Sequence, residues 1–129
     1  MSVSPEVMQQ HWEYKLWATS RLLDAAKQLS PDELTRDFKT ADGTVIDTLA
    51  HLFWSEMIWL NRFKKIPPPP RSQKGAHDLE FLSQHRPVLH DQWRRYLAGA
   101  TDATEMITYK DLKGQEWTHS LWVHSCLTL

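Results

Sequence analysis

Between Thr44 and Phe63 the chain has neither proline nor glycine, and its apolar residues cover most of a helical circumference: Val45, Ile46, Leu49, Ala50, Leu52, Phe53, Trp54, Met57, Trp59, Leu60 and Phe63. Asp47, Thr48, His51, Ser55 and Arg62 form one narrow polar stripe. A helix that is greasy nearly all round must be enclosed by others, so this segment belongs at the centre of its domain. Asp42-Gly43-Thr44 supplies a turn and an N-cap. Lys64-Lys65 suit the C-terminal dipole, and Pro67 to Pro70 cannot continue the helix. The prolines and the following RSQKGAH read as a stiff, exposed crossover loop.

Two further long segments have the period needed to surround it. Ser4-Pro5-Glu6 is an N-cap, a first-turn proline and a first-turn acid. From there to Leu29, at about 100° per residue, Val7, Met8, Trp12, Tyr14, Leu16, Ala18, Leu22, Leu23, Ala25, Ala26 and Leu29 share one broad arc, with Trp17 on the polar side. Ser30-Pro31-Asp32-Glu33 is a capping box opening a short helix that ends near Arg36. From Asp78 to about Leu97 the period returns through Leu79, Phe81, Leu82, Val88, Leu89, Trp93, Tyr96 and Leu97, with a kink or restart expected at Pro87. Met106-Ile107-Thr108-Tyr109 reads as a short strand, Asp111 to Gly114 as a turn, and a last, short helix is expected from Thr118.

The 129 residues, 41% hydrophobic and 24% charged, suit one soluble domain over 1–129. No apolar run reaches the ~18 residues of a membrane span, and the N-terminus has no signal-like pattern, so a cytoplasmic protein without membrane contact is expected. With 15 Lys+Arg against 16 Asp+Glu there is no basic field for nucleic acid. Cys126 is the single cysteine, which excludes an internal disulfide and cysteine-built zinc motifs; it reads as a small buried or frayed-end residue. No phosphate loop, nucleophile elbow, HExxH or EF-hand loop is present. Any metal must therefore be held by histidine and carboxylate.

Seven histidines are available. His51 lies on the polar stripe, one turn from Asp47 and from Ser55, and that stripe faces either water or a shared cavity. His11 and His85 fall within apolar arcs and read as core or boundary histidines with one hydrogen bond each. His77 and His90, beside Asp78 and Asp91, read as solvated. The tryptophan-rich faces read as core packing.

The segment YKLWATSRLLDAAKQLSPDELTRDF, followed by DGTVIDTLAHLFWSEMIWLNRF, resembles the DinB-like family. The likeness runs through Leu29-Ser30-Pro31-Asp32-Glu33-Leu34, Gly43-Thr44-Val45, Thr48-Leu49-Ala50-His51-Leu52, Glu56 and Trp59-Leu60. It resumes at Ile107-Thr108-Tyr109, Gly114 and Leu121-Trp122. The resemblance implies an all-α, up-down four-helix bundle with a long Pro-rich crossover loop and a shortened last helix. It also implies a divalent metal, nickel or zinc, held by His51 and a histidine pair on the last helix, acting as a Lewis acid. Some relatives use a low-molecular-weight thiol as cosubstrate; others, labelled damage-inducible, have no assigned reaction. The pair would begin at Leu127, which is no histidine. His124, one turn earlier and within roughly 60° of that direction, is the available substitute. Lys15 stands where the family prefers Asn. A shortened last helix leaves apolar flanks uncovered, so a homodimer is expected. The competing expectation is a non-catalytic helical dimer without a metal site.

Overall fold

The computed structural model describes residues 4–67, 70 and 78–127. The RSQKGAH loop, with His77, falls outside them. The element order is α1 (Pro5–Ala26), α2 (Pro31–Thr35), α3 (Val45–Phe63), α4 (Leu79–Gly99), β1 (Met106–Lys110), β2 (Glu116–Ser120) and α5 (Leu121–Leu127). Helices α1, α3 and α4 pack pairwise on one another and α5 packs on α1, giving an up-down four-helix bundle with a short last helix. Among the described residues no helix is long and apolar enough to cross a membrane.

The helix starts are built as the sequence implies. Ser4, Ser30, Thr44 and Asp78 each accept a hydrogen bond from a first-turn amide, and Ser30 and Glu33 close a reciprocal capping box. Pro87 does not interrupt α4, which runs through it. Its ring lies on the exposed side, where water can replace the missing amide, while Arg86, Leu89, His90 and Trp93 anchor the opposite side in the interior.

Aromatic rings join the helices. Trp12 of α1 stacks on Trp93 of α4, with centroids 3.9 Å apart, and Phe63 of α3 meets both edge-on at 5.8 Å and 5.5 Å. Both buried indole N–H groups are satisfied: Trp12 Nε1 donates to Ser125 Oγ of α5 at 2.7 Å, and Trp93 Nε1 donates to the backbone carbonyl of Glu56 at 3.0 Å.

The buried side of α1 is narrower than its apolar arc. Met8, Trp12, Lys15, Leu16, Thr19, Leu23 and Ala26 are buried, whereas Val7, Tyr14 and Leu22 are exposed. At 1.5 Å per residue, α5 with its seven residues is only about 10 Å long, so it covers part of a 22-residue helix and leaves one flank open.

The strand reading extends further than the sequence suggests. β1 and β2 pair antiparallel with Tyr109 opposite Trp117 and Thr108 opposite Thr118, whose hydroxyls lie 2.7 Å apart. Thr118 is therefore a strand residue, and the last helix starts at Leu121. Asp111 closes the turn by accepting the Lys113 and Gln115 amides on Oδ1, and Gly114 adopts φ +82° there.

Ser125→Ala removes the acceptor of the buried Trp12 indole. It is expected to lower unfolding free energy by about 1–3 kcal/mol, read from urea denaturation, whereas an unchanged midpoint would mean that the indole needs no partner from α5.

Candidate functional site

His51 stands on α3 with its Nδ1 3.3 Å from Asp42 Oδ1. The loop before α3 fixes this approach. The Phe38 amide donates to the Gly43 carbonyl at 2.9 Å, the Gly43 amide to the Thr40 carbonyl at 3.0 Å, and Gly43 takes φ +85°, a conformation that favours glycine. Thr44 then caps α3, accepting from the Asp47 amide and donating to its carboxylate. The side chains of His51 and Asp42 keep 45% and 34% of their surface open. Beside them is an apolar pocket of about 480 Å³ lined by Leu22, Ala26, Phe38, Val45, Leu49 and Leu52, among others. Gly43, next to Asp42 in sequence, and Thr48, one turn before His51, also line it.

His124 lies elsewhere. It is fully buried, its ring 5.2 Å from Trp59, 5.2 Å from Tyr109 and 5.3 Å from His119. Neither ring nitrogen has a hydrogen-bond partner among the described residues. Burial, then the neighbouring His119, pushes its pKa down to about 4; the Ile107 carbonyl opposes this only in part. Trp59 is two turns beyond His51, about 12 Å along α3, so the structure does not bring His51 and His124 together. His11 is half-buried, bonded to the Ser125 carbonyl at 2.9 Å and edge-on to Trp122. His85 is exposed rather than at a core boundary, lying flat on Phe81 and bonded to that residue's carbonyl. Cys126 is exposed near the end of α5. Among the described residues no group of three or more His, Cys, Asp and Glu is arranged to hold a metal ion.

The largest departure from the sequence reading is a buried ionic network. Glu56, fully buried on α3, receives Arg86 Nη2 on both carboxylate oxygens at 2.8 Å and 3.0 Å. Arg86 Nε donates to His90 Nε2 at 2.9 Å. A guanidinium only donates, so His90 presents a lone pair there and is neutral, with its proton on Nδ1 facing Ser20 Oγ at 3.3 Å. Burial and then Arg86 push the His90 pKa down to about 4. His90 is thus buried and not solvated: it follows Arg86 by one turn and shares its inward face. Lys15 completes the cluster, its ammonium 4.8 Å from the Trp12 ring and its pKa lowered by burial against the pull of Glu56. Burial raises the Glu56 pKa, while Arg86 and Lys15 oppose that shift. The sequence signal for this network was Glu56 itself, an acid on α3 lying off the polar stripe.

The family model described as the DinB superfamily matches residues 16–128. The chain belongs to the DinB superfamily. No curated protein and no solved structure gave a match. In this DinB-superfamily chain the matched span includes the His51–Asp42 pair and, of the buried network, Glu56, Arg86 and His90, but not Lys15.

Arg86→Met removes the hydrogen-bonded partner of the Glu56 carboxylate and is expected to cost about 3–5 kcal/mol, with much of it recovered in the Arg86→Met/Glu56→Leu/Lys15→Met triple variant, which leaves neither Glu56 nor Lys15 unpaired. Denaturant midpoints of the three proteins test this. The pH response follows from the two buried imidazoles. An unfolded histidine protonates near 6.5 and these two only near about 4 in the fold, so between those values the unfolded chain binds more protons. Stability contributed by the neutral rings is present above pH 6.5 and falls as pH drops through that window. Replacing His124 with Phe, which suits its aromatic enclosure, should flatten the slope of midpoint against pH; an unchanged slope would remove His124 from the account.

Proposed function

We propose that this protein is a divalent-metal-binding DinB-type protein whose ligands begin with His51 and Asp42, serving a small apolar or thiol-bearing molecule in the adjoining pocket. The observation that supports this most is the 3.3 Å separation of His51 Nδ1 and Asp42 Oδ1. Charge-assisted hydrogen bonds are shorter, about 2.7–2.9 Å. Two ligands on a tetrahedral zinc-type ion, each with a bond of about 2.0–2.1 Å, stand about 3.4 Å apart. The partial exposure of both side chains leaves the other coordination positions reachable.

Two donors do not complete a catalytic zinc site, which takes three protein ligands. In this reading the remainder comes from water, from a thiolate of the bound molecule, or from the same pair on a second copy in a homodimer. A zinc or nickel ion there would supply Lewis-acid polarisation. His51 and Asp42 would hold it, and Leu22, Leu49 and Leu52 would offer its neighbour an apolar wall.

A second reading, a non-catalytic helical dimer, is favoured by the open flank of α1. Tyr14, Trp17 and Leu22 are exposed there, and an exposed His51–Asp42 pair would add only about 0–1 kcal/mol as a surface contact.

Titration calorimetry of tag-free protein with zinc and with nickel separates the two. The first reading expects saturable binding that weakens about tenfold or more, roughly the loss of 1.4 kcal/mol or more, in both His51→Ala and Asp42→Ala, and is unchanged in His85→Ala. Equal uptake by all four proteins overturns it. Light scattering with and without metal then shows whether a second copy completes the shell.

A further inference from the structure

The polar stripe of α3 continues past His51 to a second cavity that the proposal above does not use. Between α3 and the β1–β2 hairpin lies a space of about 480 Å³ lined by Trp54, Trp59, Arg62, Asp111, Lys113 and Trp117, among others. Arg62 is eleven residues from His51, about 16 Å along the helix, so the two sites are separate.

Arg62 is the unusual group. Its guanidinium carbon lies over two rings that meet edge-on, 4.0 Å from the Tyr109 centroid and 4.7 Å from that of Trp59. Its Nε is buried with no hydrogen-bond partner, and it makes no ion pair among the described residues. Stacking on ring faces leaves the N–H donors at the edge of the plane unspent. Asp111 is the acid in the wall, but its oxygens are committed. Oδ1 accepts the Lys113 and Gln115 amides, and Oδ2 accepts Trp117 Nε1 at 2.9 Å. These bonds hold the Asp111 carboxyl below its usual range, the indole bond most of all. Asp111 therefore shapes the hairpin tip and orients the Trp117 indole, while Lys113 adds a second cation beside the opening.

We propose that this cavity is a binding site for a small aromatic carboxylate, its ring lying against Trp54, Trp59 and Trp117 and its carboxylate meeting Arg62 and Lys113. A planar fork of donors matches a carboxylate, and indole walls match a flat apolar body. A strongly hydrated inorganic anion gains nothing from those walls.

Fluorine NMR with para-fluorobenzoate, in the presence of EDTA to remove any metal contribution, tests the assignment. Wild-type protein should give saturable line broadening. The neutral isostere para-fluorobenzyl alcohol should bind at least about tenfold more weakly, the scale of one lost charge-assisted contact. Arg62→Met, which keeps a long apolar stem, should weaken para-fluorobenzoate to a similar degree, and Lys113→Ala by a smaller factor. Absence of saturable binding overturns the proposal. So does equal affinity for the alcohol, displacement of the probe by inorganic phosphate at an equal concentration, or undiminished binding in a folded Arg62→Met. The comparison of acid and alcohol needs only the wild-type chain, so it decides the matter even if a variant fails to fold.

Discussion

The bundle is held at one aromatic node. Trp12, Phe63 and Trp93 bring α1, α3 and α4 together, and the Trp12 indole N–H reaches Ser125 of α5, so four helices meet within one cluster of rings. Large flat side chains bury much area at small conformational cost, but their N–H groups must find acceptors in the interior. Here they find them on neighbouring helices: Ser125 on α5 and the Glu56 backbone on α3. The second of these bonds also fixes the height of α4 against α3, and thereby sets Arg86 opposite the Glu56 carboxylate.

Helix positions were legible because they rest on local chemistry. Ser4, Ser30 and Thr44 cap the helices they precede, and α2 and α3 begin and end close to where capping residues and prolines place them. Which side of each helix is covered was less legible. Periodicity orders residues around an axis, but burial depends on neighbours, and α1 has a full-length neighbour on only part of its circumference. Tyr14 and Leu22 are apolar and exposed for that reason, and Lys15 and Thr19 are polar and buried because Glu56 is there to receive them. His90 was misread for the same cause: adjacency to Asp91 says nothing of a residue whose partner is Arg86 on the preceding turn.

His51 was legible as a candidate, and so was the stripe that carries it. His51 itself is exposed to water, while other parts of the stripe line concave surfaces. The upper end borders the apolar pocket beside Asp42, and the lower end, at Ser55 and Arg62, forms one wall of the cavity under the hairpin. A single row of polar residues on a greasy rod thus provides polar contact points for two concave surfaces. Asp42 itself was out of reach of helical periodicity, because a loop turning at Gly43 brings it back over the helix.

The interior network opposes the entry of a further cation at the centre of the bundle. Glu56 is the acid in the dry part of the bundle, and two cations, Arg86 and Lys15, already face it. A further cation entering there would have to displace one of them from a low-dielectric site, leaving a buried positive charge unpaired at a cost of several kcal/mol. At the His51–Asp42 pair both side chains are partly exposed, and water reaches both. Lys15 is the second cation of this cluster. It turns the centre of the bundle into a closed ionic cluster and leaves the His51 edge as the place where an added cation meets least opposition.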